Sequence, residues 1–259
     1  MTKYLKRFDT HSQYEEYINE NDAVLPNVSI CDDNIDHVHY NPVAKPIKAI
    51  KFSCDGSNGV YLEDEWATYN PNLEYSYDGK NWTTWNYSTL DFGEDEGDVY
   101  IRGNNPEGFG NCYGSGQFGY QFAFTGGNDV YCTGNIMHLI SYEEDITSLK
   151  NITGFAGLFQ NCGSLVEAPE LTATELDVDD HDNNFNCYHQ LFYNCSNLRK
   201  ITMLAEDFPV DEYGQLYSVF GDWVYGVPSE GTFYCASGMV DKIKSVSNGE
   251  LDNWTFIEV

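Results

Sequence analysis

Short runs rich in Val, Ile, Leu, Phe, Tyr and Trp, with apolar and polar positions tending to alternate, occur at residues 47–54, 59–62, 73–77, 82–86, 98–102, 117–124 and 129–132. Clusters of Gly, Asp and Asn divide them. A period of two is what a strand with one buried face requires, since successive side chains leave the backbone on opposite sides. Seven such runs predict a mainly β chain with an immunoglobulin-like β-sandwich over residues 46–134. The sharpest local feature is Tyr75-Ser76-Tyr77-Asp78-Gly79-Lys80-Asn81-Trp82. There Asp-Gly suits a tight turn, and the flanking aromatics can pair across the two strands.

Residues 1–45 follow a different pattern. Ser12 and Glu15 have capping-box spacing, Tyr14, Tyr17 and Ile18 share one helical face, and Phe8 precedes them. So short a helix is not stable by itself and must pack either on the next domain or on a neighbouring protein, with Phe8, Tyr14, Tyr17 and Ile18 as the expected docking residues. The stretch 25–42 reads as extended and closes at an Asn-Pro turn signal.

After residue 134 the informative pattern is self-similarity. Leu158-Phe159-Gln160-Asn161-Cys162-Gly163-Ser164-Leu165 recurs as Leu191-Phe192-Tyr193-Asn194-Cys195-Ser196-Asn197-Leu198, and a weaker third copy is read at Leu216-Tyr217-Ser218-Val219-Phe220. Removing the acidic run 177–186 as an insertion leaves a spacing of about 23 residues, the length of a leucine-rich repeat. Each unit would leave an apolar face that only its neighbour can cover, which explains why Leu, Phe and Cys recur. Residues 135–259 are therefore expected to form a short, degenerate leucine-rich array with a closing cap.

Charge narrows the function. Forty-one acidic residues against 13 basic give a formal −28, a balance that repels nucleic acid and anionic lipid and favours solubility and cation attraction. No apolar stretch is long enough to span a bilayer, and residues 1–6 carry charge with no apolar run behind them, so no secretory leader is expected. The eight cysteines include no Cys-x-x-Cys pair, and reduced core thiols are expected rather than disulfides or a zinc site.

Candidate chemistry is sparse. Paired carboxylates would suit a glycan hydrolase, the rival reading from another class, but 41 acids guarantee chance pairs, and none stands in an apolar setting that would raise one pKa. The best metal candidate is Asp177, Asp179, Asp180, Asp182 and Asn184, hard oxygen ligands at alternating spacing that would suit Ca²⁺. Counted from Asp180, however, Phe185 and Leu191 occupy the Gly and Glu positions of an EF-hand. A solvated acidic loop is the competing reading. His37 and His39 could face one way from a strand, without a third ligand nearby in sequence. No other cofactor is expected. For binding, Trp66, Tyr69, Trp82, Trp85 and Tyr87 gather around the hairpin, and flat aromatic faces suit sugars or protein partners, although half of them must be core in so small a sandwich.

Several phrases together resemble one family: LFQNCGSLVEAPELTATEL, CYHQLFYNCSNL, GVPSEGTFYC, YSYDGKNWT, VYIRGNN and CTGNIMHLI. They are similar to the BspA-like leucine-rich repeat surface proteins of Bacteroidales and of the phages, crAss-like ones included, that infect them. The hairpin itself looks like a shortened Asp-box. The opening LKRFDTHSQYEEYIN and LPNVSICDDNIDHVHYNP resemble phage-encoded members. The resemblance implies a non-catalytic virion surface protein of head-fibre or decoration type, assembled in the host cytoplasm. Such a protein would contact other virion proteins, form homo-oligomers, and adhere to a glycan or cell-surface ligand. A bacterial cell-surface adhesin is the third reading. Phe155, where the family pattern has a Cys-Tyr pair, the acidic insertion and the small number of repeats are departures.

Overall fold

The computed structural model describes residues 23–24, 43–44, 46–54, 56, 58–63, 70–93, 97–106, 108, 112–113, 117–118, 120–150, 152, 154–176, 187–208 and 217–259. The chain divides into two units, Met1–Ile47 and Lys48–Val259. In the first, β1 (Ala23–Val24) pairs antiparallel with β2 (Val43–Ala44). The predicted docking residues Phe8, Tyr14, Tyr17 and Ile18 lie outside the described residues.

The second unit is mainly β. Alternation builds its first part as expected. In β3 (Ile50–Cys54), Ile50, Phe52 and Cys54 are buried while Lys51 and Ser53 are not. Across β8 (Gly97–Gly103), Val99 and Ile101 point inward. Antiparallel pairing joins β12 (Val130–Thr133), β3, β8, β5 (Leu73–Ser76) and β6 (Thr83–Thr84) in that order. A second sheet orders β11 (Gln121–Thr125), β4 (Gly59–Glu63) and β7 (Leu90–Asp91), and β9 (Cys112–Tyr113) pairs antiparallel with β10 (Gln117–Phe118). Phe52 of β3 meets Phe122 and Phe124 of β11 edge-on, at ring-centroid distances of 5.1 and 5.6 Å. Strand β7 has no counterpart among the predicted runs; Leu90 alone turns inward and two residues cannot show a period.

At β12 the main sheet changes character. One edge of β12 pairs antiparallel with β3, and the other pairs parallel with β13 (Leu165–Glu167), followed in parallel by β14 (Lys200–Met203), β15 (Thr232–Cys235) and β16 (Thr255–Glu258). The nine strands form one sheet across residues 134 and 135, where the sequence suggested a junction. Gly134 sits there at φ 86°, and a Cβ would come within 2.4 Å of the Ala49 carbonyl oxygen. Only glycine fits that combination of left-handed backbone and close approach. Asn135 then caps the 3-10 turn Ile136–Leu139 by accepting from the Met137 amide at 2.8 Å.

The repeated segments stack through rungs of backbone hydrogen bonds. The amides of Phe155, Gly157, Phe159 and Asn161 donate to the carbonyls of Cys187, His189, Leu191 and Tyr193, and those of Tyr188, Gln190, Phe192 and Asn194 donate in turn to Val219, Gly221, Trp223 and Tyr225. This register corrects the third copy. Steps of 33 and then 32 residues align Leu158, Leu191 and Trp223, so Trp223-Val224-Tyr225-Gly226-Val227, not 216–220, occupies the consensus positions. Val219-Phe220 instead matches Cys187-Tyr188 and Gly154-Phe155. Trp and Val fill the same buried places as Leu and Phe, which hid the copy from comparison by identity.

Equivalent corners of the segments share a left-handed backbone: Gly157, Gln190 and Asp222 at φ 68°, 50° and 51°, and Asn161, Asn194 and Gly226 at φ 61°, 58° and 77°. Phe122, Phe159 and Phe192 stack in file at 5.2 and 5.8 Å, so the aromatic column of the repeats begins on β11. The Cys162 thiol donates to the Phe122 carbonyl, and Cys195 repeats the bond to Phe159, each at 3.0 Å. Cys132, Cys162, Cys195 and Cys235 are buried free thiols. Burial pushes the Cys162 and Cys195 thiols well above their ordinary range, which keeps them protonated donors. Lys200 reaches Glu167 at 2.6 Å across β13 and β14. Among the described residues, no helix is long and apolar enough to cross a membrane.

Candidate functional site: a polar groove beside the first repeat

The aromatic residues singled out in the sequence separate in space. Trp66 and Tyr69 lie outside the described residues, as do His37, His39 and the calcium candidates Asp177, Asp179, Asp180, Asp182 and Asn184. Trp85 is core: it is 3% exposed, its Nε1 donates to the Ser88 carbonyl at 2.8 Å, and its ring stacks on Phe122. Tyr87 is half-buried between Trp85 and Tyr120 and donates its hydroxyl to the Pro71 carbonyl at 2.6 Å. Trp82 is also engaged, since the Arg102 guanidinium carbon lies 3.9 Å from the ring centroids of both Trp82 and Tyr142. Glu74 fixes that guanidinium at 2.8 Å. These rings organise the hairpin rather than present open faces.

The hairpin turn is held by its aspartate. Asp78 Oδ1 accepts from the amides of Lys80 and Asn81 at 2.8 Å and from the Ser76 hydroxyl at 2.8 Å, while Oδ2 accepts from the Asn81 side chain at 2.6 Å. These donors favour the ionised form and hold its pKa far below the usual carboxylate range.

An open concavity lies elsewhere among the described residues, between the three-stranded sheet and the first repeat segment. It encloses about 330 Å³, and its lining includes Tyr61 and Glu63 of β4, Gln121, Phe122, Ala123 and Phe124 of β11, and Gln160, Asn161 and Ser164 of the repeat. The backbone explains the convergence. Phe122 donates its amide to the Leu158 carbonyl, so β11 serves as the rung before the first repeat and brings its flanking Gln121 beside Gln160. Gln121 Nε2 donates to Gln160 Oε1 at 2.9 Å, and Gln160 Nε2 to Gln190 Oε1 at 3.4 Å. Asn194 Nδ2 donates to Asn161 Oδ1 at 3.1 Å.

The row that contains Gln160 continues as Tyr193 and Tyr225 on the next two segments, whose rings stack at 5.1 Å and 21°. Tyr225 is 49% exposed. At the other side of the groove, the Tyr61 hydroxyl reaches Glu63 at 3.2 Å, and its pKa is raised by burial first and by the nearby carboxylate second. Glu63 is the one carboxylate among the described lining residues, and no Lys or Arg lines the groove there. Among the described residues, no group of three or more His, Cys, Asp or Glu side chains is placed to hold a metal ion.

Sequence reasoning passed over these groove residues. Their signal lay in the third position of the repeated Leu-Phe-x-Asn-Cys, polar Gln160 or Tyr193 inside an otherwise apolar consensus. No family model matches the chain, and no curated protein or solved structure is found to be similar to it.

Proposed function

We propose that this chain is a non-catalytic surface protein of a phage particle, an immunoglobulin-like β-sandwich fused to a short leucine-rich array of the BspA-like type. Its first 45 residues dock on the particle through Phe8, Tyr14, Tyr17 and Ile18, and its repeat half is presented outward to a ligand on the host or gut surface. The observation that carries the binding role is the groove of about 330 Å³, whose lining includes the hydrogen-bonded amides of Gln121, Gln160 and Asn161 beside Tyr61, Glu63 and Phe124. Hydrogen-bonded side chains on a rigid sheet are pre-organised for recognition, and recognition needs no chemistry from them. Glycosidic cleavage calls for two carboxylates about 5–10 Å apart, whereas the described lining offers Glu63 alone.

The particle role is supported by the resemblance of the opening segment to phage-encoded members. A formal charge of −28 also keeps many displayed copies mutually repelling and soluble. Electron cryo-microscopy of intact particles tests the assignment. Density that this chain fits, attached through residues 1–45, is the expected result. Particles that carry no copy overturn it and leave a bacterial cell-surface adhesin as the alternative.

A further inference from the structure

We infer that the groove and the tyrosine pair beyond it together form a binding site for a neutral oligosaccharide, which rests on reading the repeat half as a ligand-presenting surface. Two observations converge on that chemistry. The groove offers both donors and acceptors on short leashes: the Gln121–Gln160–Gln190 relay fixes which way each amide points, leaving an acceptor at the Gln121 end and donor hydrogens along the relay. A sugar hydroxyl is donor and acceptor at once, so a row of oriented amides matches it better than a row of like charges. At the repeat position of Gln160 itself, the next two segments carry the stacked rings of Tyr193 and Tyr225, the second half exposed. Neighbouring rungs stand about 4.8 Å apart, so two rungs carry the site from Gln160 to Tyr225 over roughly the length of a disaccharide. An aromatic face there packs against the C–H face of a pyranose while the amides hold its hydroxyls.

Charge sets the selectivity. With Glu63 in the groove, no cationic side chain among its described lining residues, and −28 on the chain, sialylated or sulfated glycans are repelled. Neutral chains are not, and their binding depends little on salt.

The full chain is applied to a glycan microarray bearing neutral, sialylated and sulfated oligosaccharides at low and high salt, and the neutral chains that bind are titrated by calorimetry. Expected are binding to neutral chains that persists in high salt, a loss of about tenfold or more in Gln160→Ala, which removes the middle of the relay, and a several-fold loss in Tyr225→Ala. Tyr225 is half exposed, so its variant retains the fold even where the groove variant does not. Tyr77→Ala, which alters an exposed ring on the hairpin, binds as the unaltered chain does. No signal on neutral chains, preference for acidic ones, or full affinity in both Gln160→Ala and Tyr225→Ala overturns the inference. So does binding that is abolished by salt and by Glu63→Gln, which indicates a cationic protein partner instead. A chain found on the particle that binds no neutral glycan separates failure of this site from failure of the particle role.

Discussion

The antiparallel and parallel parts of the main sheet reach the same end, a buried face of Phe, Ile, Leu and Val, by different rules. In the antiparallel part the longer strands specify themselves, since Ile50, Phe52 and Cys54 in β3 and Val99 and Ile101 in β8 fall on one face by alternation alone. In the parallel part no segment specifies itself. Its backbone bends at Asn161, Gln190, Asn194 and Asp222, non-glycine residues in the left-handed region, and the bends at Asn161, Gln190 and Asn194 are held by amide rungs to the next segment. Outside glycine, the described antiparallel part has one such residue, Tyr87. A left-handed backbone costs an ordinary residue of the order of 1 kcal/mol. The repeats accept that cost at regular intervals and offset it cooperatively, which makes them dependent on neighbours in a way the first half is not.

The largest effect is expected where the two rules meet. Phe159 is fully buried and its ring contacts Phe52, Phe122 and Phe192, so it belongs to both parts at once. Phe159→Ala is expected to destabilise by about 3–5 kcal/mol. If the shared column couples the halves, urea unfolding followed by tryptophan fluorescence and by far-ultraviolet circular dichroism gives coincident curves in the unaltered chain. Curves that separate would show two independent folding units instead.

A second substitution isolates the stacking. A Cβ on Gly154 would come within 2.3 Å of the Cys187 Cα and 2.7 Å of its backbone N and O, so the first two segments cannot close with a side chain there. Gly154→Ala should cost about 1–3 kcal/mol, the range of overpacked sites, and toward its upper end because the obstacle is backbone. Gly127, in a turn of the antiparallel part with open space around its Cβ, is the matched control. Gly127→Ala should leave the denaturant midpoint almost unchanged, and equal losses at the two glycines would remove the distinction.

This contrast accounts for what was legible in the sequence. Alternation is local, so the main strands of the first part could be read within a few residues, while two-residue β7 could not. The mainly β class followed from the same pattern. The repeat was visible where Leu, Phe, Asn and Cys recur by identity and invisible where Trp223-Val224-Tyr225-Gly226-Val227 keeps only burial and turn geometry. Trp85 and Tyr87 could not be told from surface aromatics, because composition does not reveal which ring faces inward. The groove arises from β4 and β11 meeting a segment some 40 residues further on, as in the Gln121 to Gln160 bond. Such a juxtaposition belongs to the topology rather than to any one stretch.

On the antiparallel side the hairpin gives a pH-dependent test. Asp78 is more acidic in the folded chain than in the unfolded one. Its contribution is therefore fully present above the ordinary aspartate pKa of about 3.9 and is lost as pH falls through the lower folded value. Asp78→Asn should lower the melting temperature at neutral pH, and the gap to the unaltered chain should narrow steadily as pH drops below that ordinary value. A gap that is constant with pH would mean that turn geometry alone, and not the carboxylate's charge, holds the hairpin.

The smallest effect runs the other way and tests the repeat alignment itself. Tyr188 is fully buried and its hydroxyl has no hydrogen-bond partner among the described residues, while the rings at the matching positions of the neighbouring segments are Phe155 and Phe220, which carry no hydroxyl. A buried polar group without a partner opposes folding. The Tyr188 ring packs 6.0 Å from Phe220, a contact that phenylalanine keeps. Tyr188→Phe is thus expected to stabilise the chain by about 1 kcal/mol, seen as a higher urea midpoint with an unchanged slope. A loss of stability would mean that the hydroxyl is satisfied, and that this position departs from the two phenylalanines with which the stack aligns it.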